Sequence, residues 1–302
     1  MAKDTALQSI EERVETPYGT VSVTTSPGTP SGTVSLLLLH SNSSSSHAFQ
    51  HILSKPPPGV SQVVAFDFLG HGESENATTS MDRAYTMKGY AETAICVLQH
   101  LQITQYIVLG WSLGGHVAIE MLPLLKSGTS PLISCLGLML VGTPPSNGAA
   151  QVGIAFDVSK TGQVENKPPE PGDEENIGLG AAEHWSDKGA RIFMTLVHGG
   201  LEPWMLEVGK RTDGRARRIM FEEFRAGTGC DQRDVLEKSD VPCAVVNGAS
   251  EPFVNLDYLD GVKIKNLWQG KCHRISELGH APFWQEPEVF QEYLWRFVQD
   301  CL

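Results

Sequence analysis

A serine stands between two glycines in the stretch VLGWSLGGHVAIE, at the point where an apolar run passes into a helix-like one. The spacing Gly110-x-Ser112-x-Gly114 arises easily by chance in a chain that contains 30 glycines. Its position at a strand-to-helix junction is more informative, because a nucleophilic serine held on a strained turn needs neighbours without side chains. We interpret Ser112 as a nucleophile, and the alternative is a plain Gly-Ser-Gly turn.

A serine hydroxyl needs a general base, and the base needs an acid that orients it. After a turn of this kind the acid and then the histidine follow along the chain. His280 lies in the turn ELGHAPFWQEP, whereas His273 lies inside the strand-like KCHRI and is interpreted as structural. Glu251 is the first carboxylate after the strand-like CAVVNG, and Asp257 falls in a later helix-like segment. The order therefore predicts a triad of Ser112, Glu251 and His280.

The negative oxygen that forms when a serine attacks a carbonyl needs backbone N–H donors. Leu113 directly follows the serine at a helix N-terminus, whose dipole favours negative charge. A second donor is expected from the loop after an earlier core strand, here LLLLHSNSSSS. Ser41 or Asn42 can supply that donor, and the Asn42 amide can add another. The alternative for this segment is an ordinary serine-rich loop.

The segments around these residues predict an α/β protein. Apolar β-rich runs alternate with helix-like runs, which is typical of a mostly parallel sheet with helices on both faces. The strand-like segments are GTVSVTT, TVSLLLLH, QVVAFDF, YIVLG, CLGLMLVGT, PCAVVNG and NLWQGKCHRI. The helix-like segments include MKGYAETAICVLQHL, HVAIEMLPLLK and PEVFQEYLWRFVQDCL. The N-terminal MAKDTALQSIEERVE is charged and helix-like, and it lacks the apolar centre of a signal peptide.

The alternation stops between residues 146 and 229. This stretch holds an acidic, proline-rich piece around residues 163–176, interpreted as a surface loop, and then short amphipathic helices. An insertion between two strands is most simply a cap over the sheet edge where ligands bind. We therefore predict a core of residues 1–145 and 230–302 with a helical cap at 146–229.

Aromatic residues of the cap and the core are candidates for substrate contact. Those of the cap either line an acyl pocket or form the cap's own core. Trp111 beside the nucleophile and Phe253 near the predicted acid are further candidates; the cap candidates are Trp185, Phe193 and Trp204. The basic run RTDGRARR is interpreted as a solvated helix face that pairs with Glu222 and Glu223, and the alternative is a site for an anionic substrate.

Composition excludes some classes of function. The 302 residues are 41% hydrophobic and 19% charged, which is ordinary for a globular protein. A net charge of −12 argues against nucleic-acid binding, because phosphates would be repelled. Six cysteines without a C-x-x-C pair predict buried thiols in a reducing compartment, and no apolar run is long enough to span a membrane. We expect a cytoplasmic monomer or homodimer that needs no metal or cofactor.

Taken together, several segments resemble the α/β-hydrolase superfamily and, more closely, its metal-independent N-acyl-homoserine lactonases of the AidH type. GWSLGG and GHAPF are shared widely in the superfamily, while RTDGRARRIMFE and AVVNGASEPFV carry the narrower resemblance. The resemblance implies an α/β-hydrolase fold and a serine hydrolase that opens a lactone ring. Ser112 would be the nucleophile, His280 the base and Glu251 the acid. Asn42 and Leu113 would bind the oxyanion and the lactone.

The chain departs from that family in three places. Ser41 replaces a glycine in the oxyanion turn, Phe193 stands where the family has a substrate-contacting tyrosine, and the acidic piece of the cap is extra. The triad is intact, but the substrate stays open. A general carboxylesterase, a hydrolase or acyltransferase of a biosynthetic pathway, and a non-catalytic ligand receptor on the same fold are the alternatives to a lactonase.

Overall fold

The computed structural model describes residues 9–127, 133–156 and 177–302. Within them the strands are β1 Ile10–Thr16, β2 Gly19–Pro27, β3 Val34–Leu39, β4 Val60–Phe66, β5 Gln105–Trp111, β6 Ser134–Val141, β7 Cys243–Gly248 and β8 His273–Ile275. They form one sheet in the order β1-β2-β4-β3-β5-β6-β7-β8. β2 is antiparallel to both of its neighbours, and all other pairs are parallel. The predicted mostly parallel sheet is confirmed.

Helices connect the strands. They are α1 Gln50–Ser54, α2 Met81–Ala84, α3 Met87–His100, α4 Leu113–Ser127, α5 Gly148–Ala155, α6 Asp187–His198, α7 Pro203–Arg211, α8 Gly214–Ala226, α9 Gln232–Lys238, α10 Leu256–Asp260, α11 Pro282–Gln285 and α12 Pro287–Cys301. Short 3₁₀ turns cover Ser46–Phe49, Ile177–Gly180 and Trp268–Gly270. None of the helices in the described ranges has both the length and the apolar character needed to cross a membrane.

The central strands are buried along their length, as expected where helices cover both faces of a parallel sheet. Every residue of β3 and of β7 is buried. The carboxyl ends of β3, β5 and β7 lie at one edge of the sheet, because these strands run in the same direction. The polar turns that follow these three strands therefore meet at that edge, together with the turn after β8, which is parallel to β7. These four turns contain the predicted triad and oxyanion residues.

Two expectations about secondary structure were wrong. The N-terminal segment was expected to be helix-like, but Ile10–Thr16 is a strand that pairs with β2 in a hairpin. Cross-strand pairing outweighs helix propensity there, because it buries Val14 and leaves the charged neighbours exposed. The expected strand over residues 266–275 shortens to His273–Ile275, because a 3₁₀ turn with Gln269 and Gly270 at positive φ interrupts it.

The cysteines also differ from expectation. All six thiols are free, but Cys243 alone is buried and the other five are partly exposed. Residues within helices and strands can be partly exposed even when their neighbours in sequence are apolar. An apolar sequence context therefore predicts the burial of a thiol poorly. Burial raises the pKa of several of them, including that of Cys96, so they are protonated at neutral pH.

Helices α5 to α8 lie between β6 and β7 in the chain, in the stretch predicted as a cap. α6 begins where the Ser186 side chain accepts a hydrogen bond from the Gly189 N–H, and it ends at Gly199 with φ +72°. Its buried side includes Phe193 and Val197, and α6 packs against α7. The acidic, proline-rich piece at 163–176 lies outside the described residues.

Candidate active site

Ser112 follows β5 directly and precedes α4. Its φ is +54°, a left-handed conformation that is unusual for a residue with a side chain. A Cβ on Gly114 would lie 2.0 Å from the carbonyl oxygen of Leu39, and one on Gly110 would lie 2.4 Å from the backbone of α4. Neither position can hold a side chain. The tight turn predicted from the Gly-x-Ser-x-Gly spacing is therefore present.

His280 and Glu251 form a buried pair beside this turn. The His280 Nδ1 lies 2.8 Å from each carboxylate oxygen of Glu251, and the two residues are 2% and 1% exposed. The Phe253 N–H donates to Glu251 Oε1 at 2.9 Å, and the Trp111 indole N–H donates to the His280 carbonyl oxygen at 2.8 Å. The carboxylate thus holds the proton on Nδ1, which leaves the Nε2 lone pair to act as a base.

Ser112 and His280 line the same pocket, at the carboxyl edge of the sheet. Between these two described residues, no hydrogen bond joins Oγ to Nε2. Such bonds are often long in the free enzyme and tighten only when substrate binds. The arrangement suits an acyl transfer in which the serine attacks and the imidazole takes its proton.

The predicted oxyanion residues line this pocket as well. Leu113 is the first residue of α4, so its N–H has no acceptor within the helix. Ser41 and Asn42 lie on the turn after β3, and buried His40 holds that turn. The Phe68 N–H donates to His40 Nε2 at 2.9 Å, so Nδ1 carries the proton and donates to the Ser41 carbonyl at 2.7 Å. Burial lowers the pKa of His40 and keeps it neutral.

The cap also bonds to this turn. The Asn42 Nδ2 donates to the Gly180 carbonyl at 2.8 Å, and an Arg217 N–H donates to the Ser43 hydroxyl at 3.5 Å. One N–H of the Asn42 amide, predicted as an extra oxyanion donor, is therefore engaged by the cap. The turn after β3 is therefore held by residues of the predicted cap as well as by His40.

The predicted substrate-contacting residues divide into two groups. Phe193 and Phe253 line the pocket, with ring centroids 5.9 Å apart. The three tryptophans lie outside the described lining. Trp111 is fully buried behind the serine, Trp185 packs against Phe193, and Trp204 packs on Trp284, a residue of α11. Sequence proximity to the serine misplaced Trp111, because successive side chains of a strand point to opposite faces.

Several pocket residues were missed by sequence reasoning. They come from three different helices and from the β-bridge residue Phe156, and they are mostly apolar: Met87, His116, Phe156, Met220, Phe221 and Phe224. The apolar members carry no signal that separates them from core residues. His116 is a polar side chain within the otherwise apolar start of α4, which is the one signal that could have drawn attention to it.

The basic run differs from its predicted role. Arg218 pairs with Glu222 at 2.8 Å, as expected, but Glu223 accepts a hydrogen bond from a threonine hydroxyl instead. Arg217 is only 4% exposed, and its Nε donates to the Ala182 carbonyl at 2.7 Å. This side chain is therefore a buried hydrogen-bond donor and not part of a solvated face. Burial lowers its pKa to about 10, which still leaves it charged at neutral pH.

Comparison with known proteins places this geometry in a family. The model of the alpha/beta hydrolase family matches residues 36–292. A crystal structure of a variant of the N-acyl homoserine lactonase AidH, complexed with N-hexanoyl homoserine, superposes with a TM-score of 0.84 at 39% identity, over 97% of this chain and 98% of that one. The AidH complex with N-butanoyl homoserine gives 0.83 at 40% identity, over 97% of both chains.

Matches to curated sequences are shorter. The 30 kDa subunit of magnesium chelatase from Rhodobacter capsulatus is 36% identical over 89 residues, which is 28% of this chain. The matched segments span less than a third of the length of the curated relatives, 29% and 31%. The family model and the AidH structures, by contrast, cover most of the chain. With its parallel sheet, its serine turn and these matches, the chain belongs to the α/β-hydrolase family.

Proposed function

We propose that this protein hydrolyses N-acyl-homoserine lactones through an acyl-enzyme on Ser112. The observation that carries the proposal is the buried Glu251–His280 pair, whose free imidazole nitrogen shares an apolar pocket with the serine. The identity of 39–40% to AidH, whose structures hold N-hexanoyl and N-butanoyl homoserine, supports the choice of substrate. The matches cover 97–98% of both chains.

The first half of the reaction opens the ring. Ser112 Oγ attacks the lactone carbonyl carbon while His280 Nε2 takes the hydroxyl proton. The carbonyl oxygen becomes negative and accepts hydrogen bonds from the Leu113 N–H and from the Ser41–Asn42 turn. When the carbonyl re-forms, the bond to the ring oxygen breaks and Nε2–H protonates that oxygen. The new alcohol stays attached to the acyl-enzyme, because the ring oxygen and the carbonyl carbon of a lactone belong to one molecule.

The second half releases the product. His280 Nε2 now takes a proton from water, and the resulting hydroxide attacks the acyl-enzyme carbonyl. Collapse of this second tetrahedral intermediate breaks the bond to Ser112 Oγ, which regains its proton from the imidazolium. Glu251 stabilises that imidazolium in both halves, because its two oxygens lie 2.8 Å from Nδ1. The product is the ring-opened N-acyl-homoserine.

A general carboxylesterase is the second candidate. It is favoured by Phe193, since the family's substrate-contacting tyrosine is absent and the ring offers no hydrogen bond. The apolar lining near it suits many acyl groups. A receptor role uses the same fold, and it is one outcome of the experiment below.

The test compares kcat/KM for N-acyl-homoserine lactones of increasing chain length with kcat/KM for 4-nitrophenyl esters of the same acyl groups. We expect ring opening at a rate well above that of the Ser112→Ala variant, which keeps the pocket but lacks the nucleophile. Ester hydrolysis without ring opening would replace the lactonase by a carboxylesterase. A wild-type protein that a fluorophosphonate does not label at Ser112 would instead be a receptor.

A further inference from the structure

His116 is a polar residue of the pocket that the mechanism above leaves without a role. It lies four residues after Ser112, and its N–H donates to the Ser112 carbonyl at 3.3 Å, so it stands one helical turn from the nucleophile. The residue is 3% exposed and lines the pocket, with its ring 4.8 Å from that of Phe224. A buried imidazole in this position needs a partner for both of its nitrogens.

The hydrogen bonds around His116 determine which nitrogen carries the proton. The Ser146 N–H donates to Gln232 Oε1 at 3.3 Å, which identifies this atom of the amide as the acceptor. The same oxygen lies 2.7 Å from His116 Nδ1, so Nδ1 must be the donor. Burial lowers the pKa of His116 to about 4, so the ring is neutral at pH 7 and Nε2 keeps its lone pair.

The Nε2 atom has no hydrogen-bond partner among the described residues. Unlike the buried side-chain atoms without partners elsewhere in the described chain, such as His71 Nε2, it is not sealed from the cavity. It is therefore a hydrogen-bond acceptor that faces space a substrate can occupy. A substrate group that meets it must supply an N–H or O–H, because a second acceptor would be repelled.

The reaction assigns this acceptor to one side of the substrate. The leaving oxygen must lie at His280, whose ring packs on Phe253 at 4.9 Å, and the oxyanion must lie at the Leu113 N–H. His116 belongs to a different aromatic group, with Phe224 and Phe156. The carbon next to the scissile carbonyl is the remaining substituent, and this second group is the part of the lining that the first two assignments leave for it.

We propose that His116 Nε2 accepts a hydrogen bond from an N–H on the carbon next to the scissile carbonyl. This makes His116 a specificity-determining residue that selects α-acylamino lactones and esters over counterparts without the N–H. The inference deepens the proposed function and rests on it for the lactone ring, but the N–H selection applies to open-chain esters as well.

The decisive comparison changes one atom of the substrate. Ring opening of N-hexanoyl-homoserine lactone is measured against ring opening of α-hexanoyloxy-γ-butyrolactone, in which oxygen replaces the N–H. Each kcat/KM is divided by the rate constant for hydroxide-catalysed opening of the same lactone. We expect the wild-type protein to prefer the amide about three- to tenfold, the value of one neutral hydrogen bond. A ratio near one in the wild type overturns the proposal.

Variants connect the preference to the residue. His116→Leu removes the acceptor, and the ratio is expected to fall to about one. His198→Leu, the same change at a buried histidine outside the pocket lining, is expected to keep the wild-type ratio. Fluorophosphonate labelling of Ser112 and a thermal melt show whether each variant has folded. If His116→Leu does not fold, Gln232→Leu, which frees Nδ1 but keeps the imidazole, should lower the ratio. A preference that survives in the folded variant refutes the assignment.

Open-chain substrates separate this inference from the proposed function. The 4-nitrophenyl esters of N-acetylglycine and of acetoxyacetic acid differ by the same N–H and contain no lactone. If the wild type opens neither lactone but prefers the N-acetylglycine ester, and His116→Leu loses that preference, the lactonase proposal fails and the role of His116 stands. If the wild type opens lactones with no preference for the N–H, the lactonase proposal stands and the role of His116 fails.

Discussion

Replacement of Glu251 by glutamine tests the central pair of the site. In the wild type both carboxylate oxygens lie 2.8 Å from His280 Nδ1, and one of them also accepts from the Phe253 N–H. A glutamine keeps its oxygen on the Phe253 N–H, so its NH₂ group occupies the other position and meets Nδ1–H donor to donor. The imidazole is then driven to place its proton on Nε2, where it can no longer accept one from Ser112.

Two losses set the size of the effect. The wrong tautomer of the histidine removes the general base, and the missing negative charge no longer stabilises the imidazolium. Loss of the orienting acid in a serine triad costs about a thousand- to ten-thousandfold in kcat, and a thousandfold loss corresponds to about 4 kcal/mol of transition-state stabilisation. Since Glu251 is only 1% exposed, water cannot replace the missing acceptor. We expect Glu251→Gln to lie within this range.

The assay is the initial rate of 4-nitrophenyl acetate hydrolysis per mole of folded protein, with folding checked by a thermal melt. Asp257→Asn is the matched control, because Asp257 carries a carboxylate in the next helix along the chain, 91% exposed and bonded to Arg274 at 3.0 Å. That variant should retain the wild-type rate. A folded Glu251→Gln enzyme within tenfold of the wild type would refute the tautomer argument, and greater sensitivity of Asp257 would transfer the role to that residue.

Three other changes probe the pocket, the serine turn and the buried histidines. Phe193→Tyr should raise kcat/KM for lactones about two- to tenfold if a hydroxyl there bonds to substrate, and unchanged kinetics would contradict this. Gly114→Ala should leave little folded protein, measured as soluble yield and melting temperature, because its Cβ would lie 2.0 Å from the Leu39 carbonyl oxygen; a wild-type melt would refute the steric argument. Burial lowers the pKa values of His116 and His198 to about 4. Between about pH 6.5 and 4 the unfolded chain therefore binds more protons than the folded protein, so the free energy of unfolding falls as the pH falls through that window. Urea unfolding at pH 7 and 5 should show a loss of about 2 kcal/mol for each histidine, less in His198→Asn, and equal stabilities would exclude the mechanism.

Local patterns in the sequence were sufficient for the fold, and they led to the proposed triad. Apolar runs that alternate with helix-like segments predict buried parallel strands, because helices then cover both faces of the sheet. The glycines around Ser112 are required by contacts of the turn itself, and the position of His280 follows from chain order. These features depend on neighbouring residues or on the order of elements, so they can be seen without coordinates.

The lining of the pocket could not be predicted in this way. Trp111 adjoins the serine in sequence but lies behind it, whereas Phe224 lies more than a hundred residues away and lines the pocket. The N-terminal strand exists because β2 is there to pair with it. The acceptor on His116 depends on Gln232, far along the chain. Short stretches of residues determine the local turn around the serine and the order of the triad candidates. Distances between remote residues arise only when the sheet and the helices pack, and these distances decide which atoms face a substrate.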